Sequence, residues 1–239
     1  MTRRRFLADE VSGDRAILIG EHADHLIRVL RVRLGQEFDI ATGAAVRRGT
    51  IVSVDKTRVE FDLQEEVFRT PLADITLLLA IFKFDRMEWA IEKCTELGVS
   101  KIVPVIARRT DSHLATAATK RAERWQRVAR QASEQSRRAT PPEISAPLKL
   151  SQALIVQAGL RIALAESENQ MLLRDVLTTN PGNLGIALAI GPEGGWTEDE
   201  LESFQKARWI SASLGATILR AETAAMAATA IVASAVSSL

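Results

Sequence analysis

The sequence predicts a two-domain chain: a small β-rich barrel over residues 1–70, then an α/β domain with a parallel sheet over 71–239. Three observations carry this. Residues 37–63 alternate apolar and polar positions between turn residues, as half-buried strands of period two do. From Ile75 the pattern changes to Ile75–Phe82 (ITLLLAIF), a continuous apolar run, which marks a strand covered on both faces. Strand-like and helix-like segments then take turns to the C-terminus, the arrangement of a parallel sheet joined by helices.

Each element has its own warrant. Ala16–Ile19 reads as a short strand and Asp24–Val32 as a short amphipathic helix. Glu37–Ile40, Arg48–Val54 and Arg58–Leu63 are the alternating strands, and Thr70-Pro71 marks the boundary, because proline disfavours continuation of either element. Ile75–Phe82 is followed by a helix over Arg86–Leu97, with Gly98 as its stop. Lys101–Ile106 is the next strand, and Lys120–Arg138 a long helix whose apolar stripe is Trp125, Val128, Ala129 and Ala132. Leu160–Ala165, Leu184–Ile190 and, more weakly, Trp209–Ala212 complete the sheet. A closing helix runs from about Glu222 to about Val236.

Composition narrows the function. The profile is 26% charged and 46% hydrophobic, that of an ordinary soluble protein, and no apolar stretch reaches transmembrane length uninterrupted. The basic start, Thr2-Arg3-Arg4-Arg5-Phe6, lacks the apolar core of a signal peptide. The lone Cys94 cannot form an internal disulfide, which is compatible with the cytoplasm; it reads as a helix packing residue. His22, His25 and His113 with that cysteine make no metal-ligand cluster; His25 is expected inside the N-terminal domain and His113 on a loop. The net charge of +1 conceals an asymmetry: residues 83–150 hold 14 Lys/Arg against 8 Asp/Glu, and residues 151–239 hold 5 against 9. A local basic field of this kind suits a phosphate backbone.

The run Ile190-Gly191-Pro192-Glu193-Gly194-Gly195-Trp196-Thr197 joins an apolar strand to a helix start. Thr197 and Glu200 make a capping-box pattern, so a helix begins near Glu198. A glycine loop at the carboxyl end of a strand lies where open α/β sheets bind ligands, although a plain tight turn accounts for the same residues. A second glycine loop follows, Ser213-Leu214-Gly215-Ala216-Thr217-Ile218-Leu219-Arg220-Ala221-Glu222-Thr223-Ala224. G-x-G-x-x-G after an early strand and G-x-x-x-x-G-K-[ST] are both missing from the sequence, which argues against a Rossmann dinucleotide site and a P-loop hydrolase.

The two loops together resemble those of the RsmE family, 16S ribosomal RNA uridine-N3 methyltransferases of the SPOUT superfamily. The resemblance extends over Lys83, Met87-Glu88-Trp89, Glu92–Val99, Ile102-Val103-Pro104, Arg108-Arg109, Arg124-Trp125 and Ala132–Arg138, and back to Arg5-Phe6 and His25–Val32. Trp196 and Trp209 stand where the family often has other residues.

The resemblance implies a PUA-like N-terminal domain, a C-terminal SPOUT domain with a deep trefoil knot, a cytoplasmic homodimer and S-adenosylmethionine as methyl donor. The donor pocket it implies comprises Leu164, Ala165 and Glu166; Ile190, Gly191 and Gly195; and Leu214, Gly215, Ile218, Leu219, Ala221, Thr223 and Ala224. Leu214, Ile218 and Leu219 would sandwich the adenine, or simply pack the core.

Glu193 and Glu222 are the nearest carboxylates and Arg220 the nearest cation. Glu193 and Arg220 are the candidate catalytic pair, proton acceptor and uracil-oxygen partner, with bracing of the loops as the competing role for each. The expected partner is 16S rRNA within an assembled small ribosomal subunit. It would be held by Arg3, Arg4, Arg5, Arg28, Arg31 and Arg33 on the first domain and by Lys83, Arg108, Arg109, Arg124, Arg127, Arg137 and Arg138 on the second; a solvated helix face is the alternative for the 120–138 cations. The small-residue face Ala224, Ala225, Ala227, Ala228 and Ala230 suits close helix packing, within or between chains. A non-catalytic RNA-binding assembly factor with a PUA-like domain is the alternative function; two intact glycine loops argue against it.

Overall fold

Residues 4–43, 45–67, 74–180 and 185–237 are described by the computed structural model, in which the chain forms two units. The first is Met1–Pro71 together with Ser133–Pro141, and the second is Leu72–Ala132 together with Pro142–Leu239. One cut at residue 70 therefore does not divide the chain, and Thr70-Pro71 itself lies outside the described residues.

Period-two burial builds the first unit. Its strands are β1 (Arg5–Leu7), β2 (Glu10–Ser12), β3 (Arg15–Ile19), β4 (Glu37–Ala41), β5 (Val46–Asp55) and β6 (Arg58–Glu66), in the order β1-β4-β5-β6-β3-β2. β1 and β4 are parallel and the other ladders antiparallel. On β6, Val59, Phe61 and Leu63 are buried between partly exposed Arg58, Glu60 and Asp62, and they join Phe6, Leu18, Ile40 and Ile51 in one core. Among the described residues no ladder joins β1 to β2. These two strands escape a sequence reading because three residues are too few to display alternation.

The short helix differs from expectation. It starts earlier, as α1 (Gly20–Asp24), and continues as a π-helical turn over His25–Leu30, which Arg31 ends at φ 49°. His25 is exposed rather than interior, and Ala23 and Leu26 are the residues that reach the core. The segment from Ser133 is secured by His22: its Nδ1 lies 3.1 Å from Asp9 Oδ2 and its Nε2 3.0 Å from Glu134 Oε1. The hydrogen bond to Glu134 leads in raising the His22 pKa, with Asp9 adding and burial opposing.

The second unit has β7 (Ile75–Ala80), α2 (Phe84–Glu96), β8 (Lys101–Ile106), α3 (Ser112–Gln135), β9 (Glu143–Ile144), β10 (Leu148–Lys149), α4 (Leu150–Ala153), β11 (Leu160–Leu164), α5 (Leu173–Thr179), β12 (Ile186–Ile190), α6 (Glu198–Lys206), β13 (Ile210–Ala212) and α7 (Ala221–Ser237). All its ladders are parallel, in the order β10-β8-β7-β12-β11-β13 with β9 on β8. β7 is buried at every position, as a sheet with both faces covered requires. Ile75, Leu77 and Leu79 face the cluster containing Met87, Ile91, Trp125, Ala225 and Ala228. Leu78 and Ala80 face the one built on Val103, Val105, Phe204 and Trp209.

Three boundaries move. The long helix begins at Ser112, not Lys120, so His113 sits in its first turn and not on a loop. Leu114 and Ala118 are buried and extend the Trp125–Ala129 stripe backwards, so packing overrides the weak helix propensity of the threonines. The same helix ends at Gln135; Arg137, at φ 59°, turns the chain away. The strand expected from Leu184 starts at Ile186, and Leu184 lies outside the described residues. On α7, Ala225 and Ala228 are buried within the chain while Ala230 is exposed; α7 packs on α2. Thr229 Oγ1 donates to Cys94 Sγ at 3.5 Å, and burial pushes the Cys94 thiol up to about 12.

The strand order positions the site. The chain goes from β7 to β8 on one side, and β12 fills the place between β7 and β11 on the other. The carboxyl ends of β12, β11 and β13 thus lie side by side, next to the point where the order reverses. Ligands of open α/β sheets bind at such points.

Candidate active site

Beyond those three strand ends lies a cavity of about 540 Å³, within the range of small-molecule sites. The segment after β11 contributes Leu164, Ala165, Glu166, Ser167 and Asn169. The glycine loop after β12 contributes Ile190 to Trp196, and the loop after β13 contributes Ala212 to Leu219; Ala221 and Ala224 follow from α7.

The loops are held by identifiable bonds. Gly195 sits at φ 70° and Gly215 at φ 129°, conformations that a side chain would strain. Trp196 Nε1 donates to the Leu164 carbonyl at 3.1 Å, tying the second wall to the first. Its ring meets Phe204 edge-on at 4.9 Å, and Phe204 meets Trp209 in the same way at 5.2 Å. Thr197 and Glu200 form the expected capping box at the start of α6. The buried Glu200 carboxylate does more than cap: it accepts from the Arg108 backbone N–H at 2.7 Å and the Thr197 N–H at 2.9 Å. The Arg109 guanidinium donates to the Gly194 carbonyl. In the third loop the Gly215 N–H donates to Ser213 Oγ at 3.1 Å.

Charge on the wall is unbalanced. Glu166, Glu193 and Glu198 line the cavity, and among the described residues Arg109 is the one cationic side chain that does. The surplus of carboxylates favours a ligand carrying positive charge. At the rim, Arg86 Nη1 donates to Glu193 Oε1 at 2.9 Å, and Arg86 Nε lies 3.8 Å from Glu222 Oε1.

The expected pocket residues come together with two exceptions. Leu164, Ala165, Glu166, Ile190, Gly191, Gly195, Leu214, Gly215, Ile218, Leu219, Ala221 and Ala224 all line the cavity, as does Glu193. Thr223 and Arg220 are not on its wall and face solvent from the first turn of α7 and its approach. Helix geometry explains Thr223: it is two residues from Ala221, and positions i and i+2 of a helix do not share a face. Ile218 is exposed rather than in the core, so it is available to a ligand.

Sequence reading missed Trp196, regarded above only as a departure, and Arg86. The signal for Trp196 was its place between the last loop glycine and the capping Thr197. For Arg86 there was no local signal, since its partners are remote in sequence.

The cations assigned to RNA divide. Lys83, Arg108, Arg109, Arg124, Arg127 and Arg137 are exposed, as are Arg4, Arg28, Arg31 and Arg33; Arg3 lies outside the described residues. Arg124 Nε donates to Glu88 Oε1 at 2.7 Å, which raises its pKa. Arg138 is a correction: it is 6% exposed, its Nε donates to the Thr140 carbonyl at 3.2 Å, and burial lowers its pKa to about 10. A guanidinium so placed braces the first unit instead of meeting phosphate. Arg5 is largely spoken for too, donating to the Arg137 carbonyl and lying 3.8 Å from Asp39. Among the described residues no group of three or more His, Cys, Asp or Glu is placed to hold a metal ion, and no helix is long and apolar enough to cross a membrane.

Residues 69–233 match the protein-family profile described as RNA methyltransferase domain. The chain is 32% identical over 219 residues to ribosomal RNA small subunit methyltransferase E of Rickettsia conorii, covering 88% of this chain and 86% of that one. It resembles the crystal structure of ribosomal RNA small subunit methyltransferase E from Neisseria gonorrhoeae bound to S-adenosyl methionine, with 30% identity, a TM-score of 0.83 and 96% of each chain covered. A Legionella pneumophila protein in complex with the bound cofactor SAM gives 28% identity, a TM-score of 0.84 and 98% coverage of each chain. By fold, loop arrangement and these matches, the chain belongs to the RsmE family, the ribosomal RNA small subunit methyltransferases E.

Proposed function

We propose that this protein is an S-adenosylmethionine-dependent methyltransferase of small-subunit ribosomal RNA, acting on N3 of a uridine in 16S rRNA. The cavity at the ends of β11, β12 and β13, with three carboxylates and one guanidinium on its wall, is the observation that carries it. Its volume and its negative lining fit a donor with a sulfonium and an ammonium group, and its open glycine backbone offers amide edges to an adenine. Bound there, the donor supplies an electrophilic methyl group.

The residues of the chain hold and orient. Leu214, Ile218 and Leu219 provide apolar surface for a flat ring, and Glu166 and Glu198 provide acceptors for hydroxyl and ammonium groups. Uridine N3 lies on the Watson–Crick edge, so the base must be unpaired or extruded to enter. Fixing it against the cavity is worth roughly 7–11 kcal/mol of barrier through lost freedom already accounted for on binding. Glu193 would accept the N3 proton while the methyl group passes from the donor's sulfur to N3, the S–C bond breaking and the donor leaving as a neutral thioether; general-base assistance contributes about 10²–10⁴-fold. Arg220, exposed and off the cavity wall, has no part in this scheme.

The finer architecture follows the family: a PUA-like first unit, a trefoil knot drawn through the loops after β12 and β13, a homodimer, cytoplasmic location, and an assembled subunit as substrate. Arg124, Arg127 and the exposed cations of the first unit provide phosphate contacts, which position RNA without reading its sequence.

Calorimetric titration of S-adenosylmethionine into the purified protein tests the reading. Saturable binding is expected, lost in Gly195→Trp and Leu219→Asp while RNA affinity persists; the absence of binding to the wild type overturns it. Arg124→Glu with Arg127→Glu should weaken RNA binding and spare the donor, and unchanged RNA affinity would reduce α3 to a solvated face.

A further inference from the structure

Arg86, Glu193 and Glu222 come from three elements: the first turn of α2, the glycine loop after β12, and the first turn of α7. Glu222 is buried, with its side chain 4% exposed, and Arg86 is its ion-pair partner at 3.8 Å. A buried carboxylate is costly unless paired. The α7 N-terminus helps Glu222, since helix dipoles favour anions there. The same rule disfavours a cation in the first turn of α2, so α2 itself gives no reason for Arg86. Its two carboxylate partners give one.

We propose that Arg86 is a positioning residue for the methyl-transfer site: it fixes the Glu193 side chain in the cavity wall and is itself fixed by Glu222. The inference rests on the methyltransferase reading above. A glutamate in a glycine loop, 36% exposed at its side chain, samples many rotamers when nothing restrains it. The 2.9 Å bond occupies Glu193 Oε1 and leaves Oε2 for a ligand or a proton. A guanidinium suits the pair, because its planar head sets Nη1 2.9 Å from Glu193 and Nε 3.8 Å from Glu222 at once, a spread that a compact ammonium covers less well. The trio carries one net negative charge at the rim, of the sign the donor's sulfonium requires. Among the described residues Glu222 Oε2 has no hydrogen-bond partner, so this buried carboxylate depends on the Arg86 guanidinium for charge compensation.

The test uses the whole protein and the variants Arg86→Gln, Arg86→Lys, Glu193→Gln, Glu222→Gln and Arg86→Gln/Glu193→Gln. Five quantities are read: donor Kd by titration, kcat and KM separately on small subunits lacking the modification, amide exchange of residues 191 and 193–196 without ligand, and the melting temperature. Arg86→Gln is expected to speed exchange in that loop and to lower kcat on the order of 10²-fold, the cost of a misplaced group, with KM for RNA unchanged. Combining it with Glu193→Gln should add nothing, because both act through one carboxylate. Arg86→Lys should restore the melting temperature but not kcat. Wild-type kcat or wild-type loop exchange in Arg86→Gln, or multiplicative losses in the double variant, would overturn the assignment. A wild type that binds no donor sinks instead the reading on which it rests, and this inference with it.

Discussion

Trp196→Phe isolates the bond that joins two walls of the cavity. The indole N–H donates to the Leu164 carbonyl at 3.1 Å, and the ring is 7% exposed. Phenylalanine preserves the edge contact with Phe204 but leaves that carbonyl buried without its donor, at a cost of about 1–3 kcal/mol. The missing ring atoms add a fraction of the 3–5 kcal/mol typical of full aromatic truncation, so the total is about 2–4 kcal/mol. For a protein of this size that lowers the melting temperature of the second unit by roughly 5–15 °C. Because Leu164 and Trp196 both line the cavity, donor affinity should fall about tenfold, the equivalent of roughly 1.4 kcal/mol.

Trp209→Phe is the control. Trp209 Nε1 makes a similar bond to the Leu154 carbonyl at 3.2 Å, away from the cavity. It should cost similar stability and leave the donor Kd alone. Calorimetry of both variants with and without S-adenosylmethionine decides the matter: equal donor affinity in Trp196→Phe and the wild type, or equal losses in both variants, refutes the idea that the indole sets the cavity's shape.

Three further outcomes are expected. Cys94, buried and with its thiol pushed up to about 12, should resist alkylation at pH 8 until the protein is denatured; prompt labelling of the native protein would contradict its placement. His22, whose pKa is raised by Glu134 and Asp9, gives the first unit stability that is complete below the ordinary imidazole pKa and is lost as pH rises through the raised one. His22→Gln should therefore flatten the fall in melting temperature above neutrality, and a slope identical to the wild type would discount the imidazole. Arg138→Met should change the melting temperature while leaving RNA affinity within twofold, and an RNA defect as large as that of Arg124→Glu/Arg127→Glu would restore Arg138 to the binding surface.

The parallel sheet was legible because continuous apolar runs such as Ile75–Ala80 and Ile186–Ile190 have few other uses, and α6 because Thr197 and Glu200 state its start chemically. The cavity lining was legible through the glycine loops. What stayed hidden depends on contacts that sequence spacing does not encode. The extra turns of α3 before Lys120 are stabilised by burial of Leu114 and Ala118 against the core, not by propensity. The two-residue strands β9 and β10 exist only as additions to the edge of β8. The assignment of Ser133–Pro141 to the first unit rests on long-range pairs, His22 with Glu134 and Arg5 with Arg137. Charge counting placed Arg138 on the surface because a tally of cations carries no depth.

The place of β12 between β7 and β11 bears on how the enzyme is made. Apart from Arg109, every residue lining the cavity lies at or beyond Leu164, and β12 must reach back to a strand formed early in synthesis. A chain emerging from its own ribosome has no donor site until nearly its whole length is out, and the distant pairing makes closure slow. Ligand then stabilises only finished molecules. A nascent or truncated chain, however well its first unit folds, gains no stability from the donor, because the loops that line the cavity are not yet in place.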